Sequence, residues 1–304
     1  MVIPVGPVVS RHPLSSPPEP SGRELPHYNW VPGGRQFSIG QSRSSVIAVL
    51  WSHRQNGHWY QVRGAGASRR LYTDGILHSQ FNPRRIVTGS VWDLLWLGLY
   101  FHPRPEPQRA LLLGLGAGTV VRQLQMLFGE LHVTAVENDP VHVRVAREQF
   151  GIEPEFATIH LDDAKRFVAR YRGPRFDLVI DDLFGGRGGI PSRAISCDRK
   201  WLSQLQRCLS PTGVLSINFA DHDELKKSAV PAMLGRNSPV KSAFSLRCPA
   251  TENVIAALLP YAAQSADLRA HLNATPMLAA QLQSGGLRYQ ARALTSASYV
   301  APQM

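Results

Sequence analysis

The sequence predicts an α/β protein: a mostly parallel, twisted sheet with helices on both faces, preceded by a small antiparallel β unit. Three observations point there. Leu111 to Asp139 reads LLLGLGAGTVVRQLQMLFGELHVTAVEND, which is a strand, a glycine turn, a helix, a second strand and an acid in immediate succession. Downstream, apolar runs too short for helices alternate with segments of helical spacing, the pattern of a parallel sheet built from βαβ units. Ahead of that core lie hairpin signals, Asn56-Gly57 foremost.

Within the central stretch, Ala110 to Leu113 is an apolar run bounded by glycines and reads as a buried parallel strand. Gly114, Gly116 and Gly118 follow. Glycines let the backbone turn sharply and admit a ligand to the main chain, and the next helix offers free N–H groups to an anion. Val120, Val121, Leu124, Met126 and Leu127 recur at roughly helical spacing, and Leu131 to Val136 is a second strand ending on Glu137. An acid about twenty residues beyond such a turn can accept both hydroxyls of a ribose. The expected ligand is a nucleoside carrying a negative group. Glycine turns also serve plain strand-to-helix packing, but the placement of the acid favours the nucleoside. A dinucleotide fingerprint would want glycine where Thr119 stands, which tilts the reading away from NAD.

A chain of 304 residues can bury a full α/β core and leave room for a smaller accessory unit. Cys197, Cys208 and Cys248 are odd in number and lack metal-like spacing, so neither a disulfide framework nor a metal site is expected, and a reducing compartment fits. The longest apolar run, Val91 to Phe101, is interrupted by Asp93 and reads as a buried helix rather than a membrane span. The opening MVIPVGPVVSRHPLSSPPEP has no charged n-region and many prolines, unlike a secretory signal; an organelle transit peptide is a minor alternative, and the cytoplasm is the expected location. The net charge is +11, with 12 basic against 5 acidic residues in 1–110 and 18 against 16 in 111–260. A basic front half leaves a nucleic-acid partner open, although an arginine-rich composition with no partner is the plainer account, because no dense basic run occurs.

In chain order, residues 1–44 read as a disordered lead-in rich in Pro, Ser and Arg. Residues 45–88 form the β unit, with strands at Val46 to Ser52, His58 to Arg63 and Arg70 to Gln80 and turns at Asn56-Gly57 and Gly64 to Ser68. Residues 89–260 hold the nucleoside-binding core. Its helix Val91 to Phe101 is stopped by His102-Pro103-Arg104-Pro105, and a second helix runs from Pro140 to Phe150. Strand Phe156 to Leu161, a helix from Asp163 to Tyr171 and strand Phe176 to Asp181 follow, the last ending on Asp181-Asp182. Leu183 to Ser192 holds four glycines and reads as a flexible loop at the carboxyl end of a central strand, where open α/β sheets bind ligands. Then come helix Arg199 to Leu209, strand Val214 to Phe219, helix Asp223 to Met233 and two antiparallel strands, Ser242 to Arg247 and Asn253 to Leu258, that close the sheet. Residues 261–304 read as an extension, helical to about Leu282, and a tail.

Taken together, LYTDGILHSQ, LLLGLGAGT, VENDP, IHLDDAKRFV, FDLVIDDLFGGRGGIP and LSPTGVLSIN resemble the spermidine synthase family, which has a Rossmann-like class I methyltransferase fold behind a β-stranded unit. The resemblance runs in order from about Val46 to Leu258. It implies S-adenosylmethionine, or its decarboxylated form, held by Gly114, Gly116 and Gly118, with Glu137 on the ribose, Asp163 on the adenine amino group and Ala164 contributing backbone. Asp163 also suits a simple helix N-cap, a compatible role. Asp182 falls on the first acid of the D-S-S-D segment, whose acids in aminopropyl-transferring members bind and deprotonate the attacking amine, a chemical need because a protonated amine cannot displace a sulfonium.

Several positions depart from that pattern. Gly185 stands at the segment's second acid, His78 replaces the glutamine of D-G-x-x-Q begun by Asp74-Gly75, and the Y-H-E segment is not recognisable around Thr88 to Trp92. A basic front half would also repel a polyamine. Asp182-Leu183-Phe184 and Gly189-Ile190-Pro191 make the chain similar to relatives that look like S-adenosylmethionine-dependent transferases of unspecified substrate. The resemblance, so qualified, implies methyl transfer to a small-molecule acceptor. Asp182 and His78 are the catalytic candidates, Asp182 also touches the cofactor, and Asp74, Gln80 and Arg187 face the acceptor beneath a closing loop, 185–189. For His78 an exposed strand histidine is the plain alternative. Asp181 should point to the opposite face as a structural acid. The alternatives are a polyamine aminopropyltransferase using the decarboxylated cofactor and putrescine, a non-catalytic nucleoside-binding module and, disfavoured by Thr119, an NAD-dependent oxidoreductase. The family suggests a homodimer, and no membrane partner is expected.

Overall fold

The computed structural model describes residues 47–187, 190–235 and 238–295. The lead-in expected over 1–44 lies outside the described residues.

The chain first forms a four-stranded antiparallel meander of β1 (Ala48–Gln55), β2 (His58–Ala65), β3 (Ser68–Thr73) and β4 (Ile76–Phe81). Asn56 and Gly57 turn the first hairpin at φ 51° and 81°. The single strand expected from Arg70 to Gln80 is two strands, because Asp74 and Gly75 adopt φ 50° and 84° between them. Two successive positive φ values make the tight turn that Asp-Gly favours in hairpins. Across β3 and β4, Leu71 faces Ser79 whereas Tyr72 faces Leu77, so His78 is the extra residue of a β-bulge. Bulges of this kind re-aim a side chain.

The main sheet contains β5 (Arg109–Leu113), β6 (His132–Glu137), β7 (Ala157–Leu161), β8 (Phe176–Asp181) and β11 (Leu209–Phe219) in parallel. Its antiparallel side is β12 (Ser242–Arg247), β13 (Val254–Leu259) and β14 (Gln290–Ala293). Among the described residues the strand order is β14-β12-β13-β11-β8-β5-β6-β7. Alternate residues serve opposite faces. Ala110, Leu112, Leu178 and Ile180 pack with α1 (Val91–Leu97), α2 (Thr119–Phe128) and α3 (Pro140–Phe150), whereas Leu111, Leu113 and Val179 pack with α4 (Ala164–Arg170) and α5 (Arg199–Cys208). Burial on both faces is why these strands read as unbroken apolar runs.

Helix α3 matches its expected bounds: Asp139 caps it by accepting from Val141 N, Pro140 occupies its first turn and Gly151 ends it at φ 61°. Three later segments differ from expectation. The stretch after β8 is a hairpin of β9 (Phe184–Arg187) and β10 (Ile190–Arg193), pairing Gly185 with Ser192, rather than an irregular loop. Helix α6 (His222–Lys227) stops well before Met233, and a 3-10 turn spans Pro231–Met233, since a proline disfavours helical backbone in the residue before it. After α7 (Ser265–Ala274) and α8 (Pro276–Gln283), β14 pairs with β12 and lengthens the sheet, which the sequence reading treats as tail. Among the described residues no helix is long and apolar enough to cross a membrane.

Candidate functional site

The three turn glycines sit at φ 91° (Gly114), 55° (Gly116) and 89° (Gly118). Two of them also admit neighbouring backbone. A Cβ on Gly114 would lie 2.2 Å from the Asp182 carbonyl oxygen, and one on Gly116 would lie 2.8 Å from the His78 carbonyl oxygen. The turn is therefore wedged between the end of β8 and the bulged strand β4. Side chains fasten the second junction: Ser79 Oγ accepts from Ala117 N at 2.7 Å, while Thr119 Oγ1 accepts from Gln80 N (2.9 Å) and donates to Gln80 O (3.0 Å).

Glu137 lies under the turn and is only 7% exposed. Its Oε2 accepts from Leu115 N at 3.0 Å and Gly116 N at 3.1 Å, and its Oε1 accepts from Asn138 N and Asp139 N, both at 2.9 Å. Burial alone would raise this carboxyl, but His142 and the backbone donors outweigh it and hold it below the usual carboxylate range. His142 Nδ1 stands 3.9 Å from Glu137 Oε2, too far for a hydrogen bond, so the pairing is one of charge. Burial opposes the charged form of His142, yet Glu137 and Asp139 raise its pKa above the ordinary value. Thr73 Oγ1 fixes its Nε2 at 2.8 Å, and Tyr60 donates to Asp139 Oδ2 at 2.8 Å.

His78 places its ring 4.9 Å from that of His142. Burial first, and repulsion from His142 second, push its pKa down to about 4. It is half-buried rather than an exposed strand residue, and it is neutral at neutral pH. Asp182 follows β8, and its Oδ1 accepts from Asn218 Nδ2 at 2.7 Å; Asn253 in turn donates to Asn218 Oδ1 at 3.1 Å. Burial, with a smaller contribution from Asp181, pushes the Asp182 carboxyl up to about 6 even though the Asn218 bond works against it. Asp181 points the other way: fully buried, it accepts from Arg193 Nη2 and Trp201 Nε1, both at 2.8 Å, as a structural acid.

No protein-family model matches the sequence. Over 124 residues, 40% of the chain, it is 36% identical to the polyamine aminopropyltransferase of Vibrio vulnificus. Over 155 residues, 48% of the chain, it is 28% identical to the eEF1A lysine and N-terminal methyltransferase homolog of Drosophila pseudoobscura pseudoobscura. These matches span 40% and 23% of the two relatives' own lengths. The structure superposes on that of a probable spermidine synthase from Corynebacterium glutamicum with a TM-score of 0.65 at 18% identity, covering 81% of this chain and 91% of that one. The chain has the spermidine synthase-like fold of the S-adenosylmethionine-dependent methyltransferase superfamily.

Other expected residues of this spermidine synthase-like chain fall in three places. Asp163 caps α4, its Oδ1 accepting from Arg166 N at 2.8 Å, with Ala164 buried beside it; Asp162 N donates to Glu137 O at 2.9 Å, which keeps this corner next to the turn. Asp74 sits exposed at a hairpin tip, where its carboxylate holds His58 Nδ1 at 2.6 Å and Trp59 N at 2.8 Å. Gln80 does not join the cluster: its Oε1 accepts from Arg70 Nε at 2.9 Å and its Nε2 donates to Thr88 O at 3.4 Å. The backbone of Arg187 lies in β9, and its side chain lies outside what the structure describes.

The surroundings suit a nucleoside. Four backbone donors occupy the lone-pair positions of the Glu137 carboxylate, and a ribose diol can replace those of Leu115 and Gly116. Tyr60, Thr73, Asp139, His142, Asn218 and Asn253 are absent from the sequence-based site. Asn218 alone was within reach, because it sits at the carboxyl end of a central strand.

The local charge also differs from that of the front half as a whole. Glu137, Asp139 and Asp182 surround the turn, Arg193 is engaged with Asp181, and Arg63 and Arg70 are turned to Tyr72 and Gln80. The expected repulsion of a polyamine by basic residues therefore has no counterpart among the described side chains at this cluster.

Proposed function

We propose that the chain alkylates a primary amine from an S-adenosyl sulfonium, and that the group moved is aminopropyl, from decarboxylated S-adenosylmethionine to a polyamine such as putrescine. One observation supports this above others: Asp182, beside the glycine turn, is pushed up to about 6. A carboxylate whose pKa lies near the working pH is suited to take a proton from an attacking amine. Bound there, the sulfonium supplies an electrophilic carbon and a neutral thioether leaving group. As the nitrogen–carbon bond forms and the carbon–sulfur bond breaks, the amine proton passes to Asp182, which Asn218 and Asn253 orient. The acidic surroundings of Glu137, Asp139 and Asp182 favour a cofactor without a carboxylate and a cationic acceptor. The 36% identity to an aminopropyltransferase supports the same choice.

Gly185 favours a second reading, methyl transfer from S-adenosylmethionine, because no second carboxylate stands at that position. Calorimetric titration separates the two. Tighter binding of the decarboxylated cofactor, with product formed from putrescine, is expected; tighter binding of the carboxylated form without that product overturns the aminopropyl reading. Binding of either with no turnover on any amine would leave a nucleoside-binding module. A Cβ on Gly185 meets nothing within 4 Å, so Gly185→Asp is sterically open. It should raise putrescine turnover by about tenfold or more by adding a second base. In a methyltransferase the same variant makes no polyamine product.

A further inference from the structure

A cavity of 230 Å³ lies apart from the acidic cluster and shares none of Glu137, Asp163 or Asp182. Its walls come from β3, β4, the segment after β4 and helix α2, and they include Arg70, Arg85, Arg122, Gln80, Thr119 and Gln123. No acid lines it. Arg70 spends Nε on the neutral Gln80 side chain, Arg122 donates to the backbone carbonyls of Phe150 and Gly151, and Arg85 is exposed at the rim. Arg70 and Arg85 have no ion-pair partner among the described residues. Gln123, 3% exposed in the wall, leaves its Oε1 without a partner after both of its Nε2 bonds are made.

Three guanidinium groups around one concavity with no carboxylate to balance them leave an uncompensated positive field, which walls of low dielectric focus. The planar fork of arginine matches the oxygens of a phosphate group better than it matches a spherical anion. The volume exceeds that of a lone phosphate and leaves room for a small organic body. We propose that this cavity is a binding site for the phosphate group of a small phosphorylated molecule, held by Arg70 and Arg85 with Arg122 behind them. Gln80 then has a use that the acceptor-side expectation did not give it: it holds Arg70 in place.

The test is isothermal titration of the full chain, free of nucleoside and at low ionic strength, with inorganic phosphate, ribose 5-phosphate and ribose. Saturable one-site binding of either phosphate, with none of ribose, is expected. Tighter binding of ribose 5-phosphate identifies an ester as the ligand, and equal binding identifies free phosphate. The Arg70→Gln/Arg85→Gln double variant should weaken binding by at least about tenfold, the loss of one or more charge-assisted contacts. Arg247→Gln, remote from this cavity, should leave it unchanged. No saturable binding, an unaltered affinity in the double variant or an equal loss in Arg247→Gln overturns the proposal. If the double variant melts early, Arg85→Gln alone decides, since Arg85 is exposed. The titration contains no sulfonium and no amine, so its outcome is independent of the transferase reading.

Discussion

Asp182→Asn should lower putrescine turnover by about two to four orders of magnitude, the usual worth of a positioned base. In the unaltered protein the rate should rise with pH through about 6 as the carboxylate forms. The same substitution should stabilise the fold at neutral pH. Asp182 titrates at about 6 when folded, against about 3.9 for an aspartate in an unfolded chain. Between those values the folded state binds the extra proton, so stability declines as pH rises from about 4 to about 6. Asparagine removes that penalty and can still accept from Asn218 Nδ2. Because Asp182 is only half-buried, solvent screens part of the effect. We expect a gain of about 1–2 kcal/mol at pH 8 and none near pH 3.5, read by urea unfolding at both. A variant that keeps its turnover, or whose stability matches the parent at both pH values, would remove Asp182 from the role of base.

Glu137→Ala should destabilise the protein by about 3–5 kcal/mol, because it strands four backbone donors in a buried place. For a chain of this size the melting temperature should fall by roughly 5–15 °C. The sign of the pH dependence is opposite to that for Asp182. Glu137 is held below its ordinary pKa, so its contribution is present above about 4.3, the unfolded value, and is lost as pH falls through the lower folded value. Calorimetric melts of parent and variant should diverge at pH 7 and converge in acid. Glu137→Gln retains an acceptor but turns an amide NH₂ toward backbone N–H groups, and should lie between the two. Equal melting temperatures at pH 7 would show that the four bonds are replaceable by water and that the turn needs no acid to hold it.

The parallel core was readable because each local signal agreed with the global one. Ala110 to Leu113 and Phe176 to Asp181 are apolar throughout because both faces of the sheet are covered, and Pro140 and Gly151 bracket α3 with the residues that helix ends prefer. The errors came where tertiary contact outweighs periodicity. Arg70 to Gln80 reads as one strand because Asp74-Gly75 interrupts an alternation that resumes on the other side of the turn. The hairpin at Phe184–Arg187 is rich in glycine, which has no side-chain pattern to reveal it. Strand β14 is polar and short, and only its partner β12 makes it a strand. In the candidate site, Glu137 and Asp182 follow from strand ends. His142 and Tyr60 do not, since their roles depend on the front sheet packing against α3. Gln80 was misplaced because a period of two assigns it to the face of His78, and the bulge at His78 breaks that period.

The stitching of β4 to the glycine turn bears on how such a protein can be recombined. Ser79 and Gln80 bond to Ala117 and Thr119, and Gly116 has its φ of 55° beside the His78 carbonyl. The front meander is thus one wall of the nucleoside-binding turn rather than a detachable module. A chimaera that took its β unit from one relative and its core from another would have to inherit both halves of this seam together. Substrate preference in such chains should therefore drift by paired change across the seam, with strand β4 and the glycine turn evolving as a single inherited block.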